Sequence, residues 1–401
     1  MDVLIITAIK EEYDATRAVL GRSDWTDHDS AGETPYATAR HGALSVALAR
    51  PTRMGGRSTA AITTTLTDRL KPTCLAMCGV CAGNPSDTAP GDVIVAAPAY
   101  EWDEGKHTGG GFLPAPEQFP QEIRWVRTVQ DFVPDDLPSY GRATEQDAAV
   151  WILERLHKGQ DPIRHPARKR YFTSATWAAQ LAMLESTGLI VRLEGRYALT
   201  AKGLDTIRHM LSVDLDGPAR LPFKVHAGPM ASGSAVMAVP GVWDELAAHQ
   251  RKVLALDMEA ATVATIGHDK QVPHWLIAKG VSDHADDEKD DRFKAFAAKA
   301  SAEVLFALLE RLLTVPAAAA APAARVPDRV RQEVVRQLRY LWQDIADIFG
   351  VPSYETRRFR AGDEPHDLWA WLEQRRRLTD LPGALDDIGR PDLAELLRPY
   401  A

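Results

Sequence analysis

A stretch of alanine and proline divides this chain. Residues 316–327 contain seven alanines and three prolines in twelve positions. A segment of this composition cannot bury a core of its own and behaves as a linker. The residues after it also differ from those before it, because residues 328–401 contain twelve arginines and no lysine. We therefore expect two units that fold separately and are joined by this linker.

Short apolar runs alternate with helical patterns before the linker. Six runs have the length and apolar content of strands: 3–7, 45–49, 73–77, 92–97, 253–257 and 275–279. Three segments have the apolar spacing of helices: 54–70, 259–267 and 290–314. Such alternation is typical of an α/β domain. We predict a mostly parallel mixed sheet flanked by helices.

Residues 145–212 interrupt this alternation. They predict a helix, a basic loop, a second helix, a hairpin and a last helix from Ala201. Helix, helix, two-stranded wing and helix is the order of a winged helix. Its basic residues leave contact with DNA open, and the alternative is a module used for packing or for gating the active site. The predicted domains are 1–144 with 213–315, the inserted winged-helix-like module 145–212, the linker 316–327 and a helical domain 328–401.

The net charge of -8 limits the classes of partner. A chain with this balance lacks the basic field on which non-specific nucleic-acid binding depends, so nucleic acid is not an expected partner. Cys74, Cys78 and Cys81 are too few and too clustered for a secreted disulfide framework, and we expect them to pack as small apolar side chains. The first residues contain neither a signal peptide nor an apolar run long enough to span a membrane. We expect a cytoplasmic protein without a membrane partner.

Carboxylates and glycines follow several of the predicted strands. Ligands of open α/β sheets bind beyond the carboxyl ends of the strands, so these residues should meet in one pocket. They are Glu11 and Glu12, the segment 78–83, Met258 with Glu259, and Ser282 with Asp283. Paired carboxylates suit cleavage of a glycosidic bond, because one activates water while the other protonates the leaving group. Taken alone, Glu12 also fits a helix-start charge and Asp283 a helix N-cap.

The segments around these residues carry a series of short motifs. The motifs are 6–12 (ITAIKEE), 54–56 (MGG), 78–83 (CGVCAG), 91–95 (GDVIV), 231–235 (ASGSA), 256–260 (LDMEA) and 281–286 (VSDHAD). In this order they resemble the nucleoside phosphorylase superfamily, and within it the methylthioadenosine/S-adenosylhomocysteine nucleosidase branch. The resemblance covers roughly residues 1–105 and 223–314. It implies a nucleoside phosphorylase-like fold for the α/β domain.

The resemblance also implies roles for individual residues. Glu12 matches the carboxylate that activates the attacking water, and Asp283 matches the acid that protonates N7 of the departing purine. Glu259 matches the residue that holds the ribose hydroxyls, with Met258 against the sugar. Lys279 stands where the family often has an arginine near the substrate.

Two departures from the family pattern bear on the reaction. Phosphorolytic members place an arginine and a serine around the second glycine loop, where Gly79 lies, but this chain has Met77 and Val80 at those positions. An apolar pair cannot hold a phosphate dianion, so hydrolysis is favoured. The nucleosidases usually carry an acid and an aromatic residue in the segment that here includes Val236. Stacking against the base must then come from elsewhere, and the substrate can differ.

Residues 100–106 and the glycine-rich run 109–111 resemble a branch in which nucleosidase domains are fused to signalling modules in bacterial conflict systems. Some nucleosidases of that branch cleave adenine from ATP. Arg53, Arg57 and Lys106 could meet 5'-phosphates there, or they could be solvated surface charges. The acidic run 283–291 fits the start of the last helix better than a metal site, and we expect no metal and no cofactor.

The residues after the linker predict helices only, over 330–348, 366–378, 381–388 and 391–398. The run 385–397 resembles the last helices of death-like adaptor folds, and the domain resembles a bacterial effector-associated domain. Such domains pair with a matching domain on another protein. A dimerisation bundle is the alternative.

The hypothesis that follows is a purine nucleosidase that releases adenine from a nucleoside or nucleotide, with ATP as one candidate, and that is recruited through its last domain. A metabolic methylthioadenosine/S-adenosylhomocysteine nucleosidase is one alternative, and a ligand-sensing DNA-binding regulator is another. The presence of both Glu12 and Asp283 argues against the regulator, because binding alone needs neither. The resemblance implies a homodimer or a larger assembly.

Overall fold

The computed structural model describes most of the chain. The described residues are 1–109, 111–214, 216–237, 241–286, 291–313, 326–351, 356, 359–360, 362–374 and 377–400. The contacts between them divide the chain into two compact units, Met1–Thr314 and Val315–Ala401. Most of the predicted linker, 316–325, lies outside the described residues.

The first unit is built on a large mixed sheet. The strands of this unit are β1 Val3–Ile6, β2 Thr26–His28, β3 Tyr36–His41, β4 Leu44–Ala49, β5 Cys74–Gly83, β6 Val93–Glu101, β7 Gly105–Thr108, β8 Gly111–Pro114, β9 Gln118–Phe119, β10 Ile190–Leu193, β11 Arg196–Leu199, β12 Val225–Ser232, β13 Ala255–Asp257 and β14 His274–Asp283. The order in the large sheet is β13-β12-β6-β14-β5-β1-β4-β3-β2, and β9 pairs with β6. Strands β7 and β8 form a separate pair, as do β10 and β11. Strands β14, β5, β1 and β4 pair in parallel at the centre.

Helices cover both faces of this sheet, and an apolar cluster lies on each face. The helices of the first unit are α1 Lys10–Leu20, α2 Gly56–Leu70, α3 Ile123–Gln130, α4 Glu145–His157, α5 Arg168–Tyr171, α6 Ser174–Ser186, α7 Ala201–Val213, α8 Val242–His249, α9 Ala260–Asp269 and α10 Lys294–Leu313. The prediction of a mixed α/β fold with flanking helices is therefore confirmed. No helix among the described residues is both long enough and apolar enough to cross a membrane.

Two strands are longer than the sequence predicts. The prediction ends one at 77 and places a glycine loop after it, but β5 continues to Gly83 because it pairs with β14 and β13 along that stretch. A glycine inside a strand marks the close approach of another group as often as a turn. A Cβ at Gly83 would lie 2.4 Å from Thr88 Oγ1, so the side chain is absent for space. The prediction that Asp283 follows its strand is also wrong, since β14 ends at this residue.

Strand β12 is absent from the prediction. Its sequence contains Gly228 and Pro229, which usually break a strand. The structure accommodates them at an irregularity, where the register with β6 shifts between Gly228 and Met230. A Cβ at Gly228 would also meet Leu254 at 2.4 Å, so this glycine permits close packing.

The inserted segment has the predicted order of elements. Helices α4 and α6 precede the antiparallel hairpin of β10 and β11, and α7 follows it. Its apolar side chains, Ile152, Leu184 and Ile207 among them, form a separate cluster that includes Ala89 of the α/β domain. The carboxylate of Asp92, just before β6, forms a bidentate ion pair with Arg170 of α5. This buried pair ties the insert to the start of a central strand.

The second unit is helical. Its helices are Asp328–Gln337, Trp342–Ile348, Glu364–Gln374, Leu381–Asp387 and Pro391–Leu397. The single helix predicted over 330–348 is interrupted by a 3-10 turn at Leu338–Tyr340. Val334 and Ile345 are buried on either side of the turn and Leu338 is buried within it, so the apolar spacing continues through the turn and cannot reveal the break.

Candidate active site

A cavity of about 180 Å³ lies at the carboxyl ends of β1, β5, β13 and β14. These ends meet because the four strands belong to one sheet, which brings together lining residues from Ala8 to Lys294. Five carboxylates line the cavity: Glu12, Asp257, Glu259, Asp283 and Asp291. Lys294 is the one lysine or arginine among the described lining residues. The site is therefore strongly acidic, as glycosidic-bond cleavage requires.

Glu12 is held by three backbone N–H groups. Its Oε2 accepts hydrogen bonds from Ala8 at 2.7 Å and from Ile9 at 3.2 Å, and its Oε1 accepts one from Val80 at 2.8 Å. The carboxylate lies in the first turn of α1 and is only 2% exposed. Because an ionised carboxylate has about four acceptor positions, about one remains for another donor such as a water molecule.

Gly79 provides the space that Glu12 occupies. A Cβ on Gly79 would lie 2.2 Å from Glu12 Oε1, a distance at which the carboxylate could not stay in place. The N–H of Gly79 donates to Ser301 Oγ of α10 at 3.1 Å, so this stretch of β5 is held from the opposite side. The glycine predicted in the site thus acts by the absence of a side chain.

A buried lysine neutralises part of the acidic site. Lys279 of β14 is fully buried, and its Nζ lies 3.2 Å from Asp257 Oδ2 and 3.5 Å from Glu259 Oε2. Burial alone would lower the pKa of Lys279, but Asp257, Glu12 and Glu259 outweigh burial and keep it above its ordinary value. Lys279 is therefore a charged part of the site floor and does not line the cavity itself.

Glu259 bridges two loops at the start of α9. Its Oε1 accepts a hydrogen bond from the N–H of Gly55 at 2.7 Å, and its other oxygen faces Lys279. Burial raises the pKa of Glu259, and the nearby carboxylates of Asp257 and Glu12 add to the rise against the opposing effect of Lys279. The carboxyl can thus accept or donate a hydrogen bond near neutral pH, as a partner of sugar hydroxyls must.

Asp283 ends β14 with its carboxylate oriented by its neighbours. Its Oδ2 accepts from Ser282 Oγ at 2.8 Å, and its Oδ1 accepts from the N–H of Ala285 at 2.9 Å. Asp283 lines the cavity from the end of β14, and Glu12 lines it from α1, which follows β1 on the other side of β5. This arrangement places a candidate acid and a candidate base around one small volume.

The predicted site residues are only partly brought together. Val80, Val236 and Met258 line the cavity together with Glu12, Glu259 and Asp283. Arg53 and Lys106 are exposed and lie outside the cavity lining. Two members of the acidic run considered as a metal site, Asp287 and Asp290, lie outside the described residues, as does Gly110.

Two contributors were missed from the sequence. Asp257 accepts hydrogen bonds from Ser232 Oγ at 2.6 Å and from the N–H of Ala260 at 3.0 Å, and so fixes the start of α9. Lys294 lines the cavity, and its Nζ lies 2.8 Å from Glu11 Oε2. Asp257 is part of the motif 256–260 and could have been proposed from it, whereas Lys294 lacks any local signal.

The three cysteines are buried and free. Burial raises the pKa of the Cys78 thiol to about 12, which keeps it protonated. Cys74 and Cys78 pack in one apolar cluster and Cys81 in the other. Their environment is that of apolar packing residues.

Two family profiles match the chain. Residues 2–314 match the profile of the phosphorylase superfamily, and residues 328–399 match that of bacterial Death-like domain 3. Protein y4jS of Sinorhizobium fredii is 26% identical over 249 residues, which are 61% of this chain and 44% of y4jS. The chain thus spans less than half the length of that relative.

Several solved structures are similar at low sequence identity. The 5'-methylthioadenosine/S-adenosylhomocysteine nucleosidase of Neisseria meningitidis is 17% identical, with a TM-score of 0.47 over 78% of this chain and 99% of its own. The futalosine hydrolase of Helicobacter pylori is 15% identical, with a TM-score of 0.47 over 78% of this chain and 98% of its own. With the family profile covering residues 2–314, this chain belongs to the phosphorylase superfamily and carries a bacterial Death-like domain at residues 328–399.

Proposed function

We propose that the protein hydrolyses the N-glycosidic bond of an adenine nucleoside or nucleotide and releases free adenine. The observation that carries the proposal is that Glu12, Glu259 and Asp283 line one cavity. Each matches a position of the nucleosidase motifs, and each has a different environment. Such separation of environments is how paired carboxylates take different roles.

In this proposal Glu12 positions and activates the attacking water. Its three backbone donors fix the carboxylate, and its remaining acceptor position binds the water proton. Because Val80 supplies one of the donors, the water would lie beside the wall formed by β5. General-base assistance from a positioned carboxylate typically contributes 10²-fold to 10⁴-fold.

Asp283 delivers the proton that makes adenine a good leaving group. Cleavage leaves positive charge on the sugar, and the acidic lining stabilises that charge in a site partly closed to water. Glu259 holds the sugar hydroxyls. The same carboxylates that bind the sugar thus favour the transition state over the neutral substrate.

The lining supports hydrolysis over phosphorolysis. Met77 is fully buried in the apolar cluster, and the N–H of Val80 is already used by Glu12. Lys294, the one basic side chain of the described lining, is paired with Glu11. A phosphate dianion placed beside these carboxylates would lack the donors that it needs.

The product mixture tests this proposal. ATP, AMP, adenosine and methylthioadenosine should be incubated separately with the full chain, with and without inorganic phosphate, and the products identified by mass spectrometry. We expect adenine and a sugar with a free anomeric hydroxyl, at a rate independent of phosphate. Formation of a sugar 1-phosphate only when phosphate is added would reject hydrolysis.

The same panel identifies the 5' group of the substrate. We propose a 5'-phosphorylated substrate because the chain carries a Death-like domain, and depletion of a shared nucleotide suits a recruited effector. The described lining adds no unpaired cation to this argument, since Lys294 is paired with Glu11. Met54, Val236 and Met237 form the apolar part of the lining, which would suit a thioether. Cleavage of methylthioadenosine alone would assign the protein to the metabolic branch.

The Death-like domain supports a role as a recruited effector. Its core closes around its own helices, with Leu338, Trp369 and Leu385 buried within it. We propose that this domain binds a matching domain on a partner. Because its core is formed by its own helices, we also propose that the enzyme works without it.

Deletion of residues 316–401 should leave a folded protein with unchanged turnover, measured by circular dichroism and adenine release. Precipitation of the shortened chain would show instead that the domain is needed for folding.

A further inference from the structure

A second cavity, of about 300 Å³, lies between the inserted segment and the α/β domain. Helix α4 and Arg170 of α5 form one side, and residues 89–90, 217–222 and 292–293 form the other. None of its lining residues lines the first cavity. The volume is at the lower end of the range for small-molecule sites, and the reaction proposed above makes no use of it.

Two arginines with largely covered side chains, Arg155 and Arg170, line this cavity with donors that are not used. Arg155 is 3% exposed, and one terminal nitrogen lies 2.9 Å from Glu154 Oε1, but its Nε has no partner. Both terminal nitrogens of Arg170 donate to Asp92, and its Nε also has no partner. A buried guanidinium N–H without an acceptor is costly, so an acceptor from a ligand would be favourable.

A third arginine stands at the exposed side of the cavity. The Nε of Arg220 donates to the carbonyl of Tyr140 at 2.9 Å, which fixes the direction of the side chain. Its terminal nitrogens form no ion pair with any described residue. A fixed, planar guanidinium with free donors is the group that binds phosphate oxygens best.

The rest of the lining suits a compact body that carries hydroxyl groups. Trp151 and Val150 offer apolar surface. The carboxylates of Asp147 and Asp214 are held by Thr144 and by Arg292 with Gly217, and their remaining lone pairs can accept from a ligand. Apolar surface beside carboxylates fits a sugar ring, whose hydroxyls donate while its C–H face packs. Arginine donors together with this surface thus point to a phosphorylated sugar.

We propose that the cavity between the insert and the α/β domain is a second binding site, which takes a small sugar phosphate with its phosphate among Arg155, Arg170 and Arg220. The inserted segment thereby gains a role in ligand binding. Arg155 and Asp283 both line a smaller, third space.

The test uses the full chain and ribose 5-phosphate as the probe, with ribose as the control that lacks the phosphate. Binding is measured by isothermal titration calorimetry. We expect ribose 5-phosphate to bind and ribose not to bind. Arg220→Gln should weaken binding of ribose 5-phosphate about tenfold or more, because it removes a charged donor from the phosphate without disturbing a buried group.

Two further variants locate the binding. Arg142→Gln is a matched control, because Arg142 is an exposed arginine that follows Gly141, the neighbour of Arg220, and does not line the cavity. Lys294→Gln removes the cation of the first cavity. Both variants should bind ribose 5-phosphate as the unaltered chain does. No binding at millimolar probe, equal binding by Arg220→Gln, or loss of binding in Lys294→Gln would each overturn the proposal.

Discussion

Replacement of Asp283 by asparagine should lower the rate of adenine release by about 100-fold to 10,000-fold, because the amide cannot deliver a proton to the leaving base. The structure explains why the fold should survive. The side-chain oxygen of asparagine can still accept from the N–H of Ala285, and Ser282 Oγ can turn to accept from the amide nitrogen. The substitution thus removes the proton that would be transferred to adenine and keeps the shape and the hydrogen bonds of the side chain.

The measurement is the steady-state rate of adenine release, with the thermal unfolding midpoint as the check on folding. Asp131→Asn is a matched control, because Asp131 is an exposed aspartate at the end of α3, outside the cavity. That variant should keep full activity. If Asp283→Asn turned over substrate at the unaltered rate, Asp283 would have no part in the mechanism.

Replacement of Lys279 by methionine should lower the free energy of unfolding by about 3–5 kcal/mol. Methionine has a similar length but no charge, so Asp257 and Glu259 would stay buried without their cation. Breaking a buried ion pair by removing one partner is costly because the remaining charge is left uncompensated. Equilibrium unfolding in urea measures the difference.

This loss should also depend on pH. The pKa of Glu259 is already raised by burial, and removal of Lys279 raises it further. For an acid whose folded pKa lies above the unfolded value, stability falls as pH rises from the unfolded pKa towards the folded one. The deficit of Lys279→Met should therefore be larger at pH 8 than at pH 5. Lys279→Arg keeps the charge and should recover most of the stability, and equal stability of the methionine variant at both pH values would contradict the buried cluster.

The site residues could be predicted from short motifs. The short motifs at the ends of the strands contain four of the residues that line the cavity: Glu12, Met258, Glu259 and Asp283. These residues could therefore be identified from the local sequence. The structure brings all four to one cavity. The motifs could not explain why residue 79 must be glycine. The explanation is the Glu12 carboxylate, 67 residues earlier in the chain, which occupies the space that a side chain would need.

The basic residues were harder to place. Arg53 precedes the motif 54–56 and Lys106 follows β6, yet both side chains are exposed and lie outside the cavity lining. Lys294 lines the cavity because the start of α10 reaches it. The direction of a long charged side chain is set by its partners, here Glu11, and such partners are distant in sequence.

The sequence by itself determined the alternation of strands and helices, the insert, the helical C-terminal unit and the identity of the acidic residues. These depend on apolar periodicity and on residues adjacent in the chain, which local sequence contains. The tertiary structure alone decided that Lys279 faces Asp257 and Glu259, and that β5 continues past Gly79 to Gly83. It also decided that Arg155, Arg170 and Arg220 line one second cavity. Each of these depends on which strands and helices are neighbours, and their contacts join residues far apart in the chain, where periodicity carries no information.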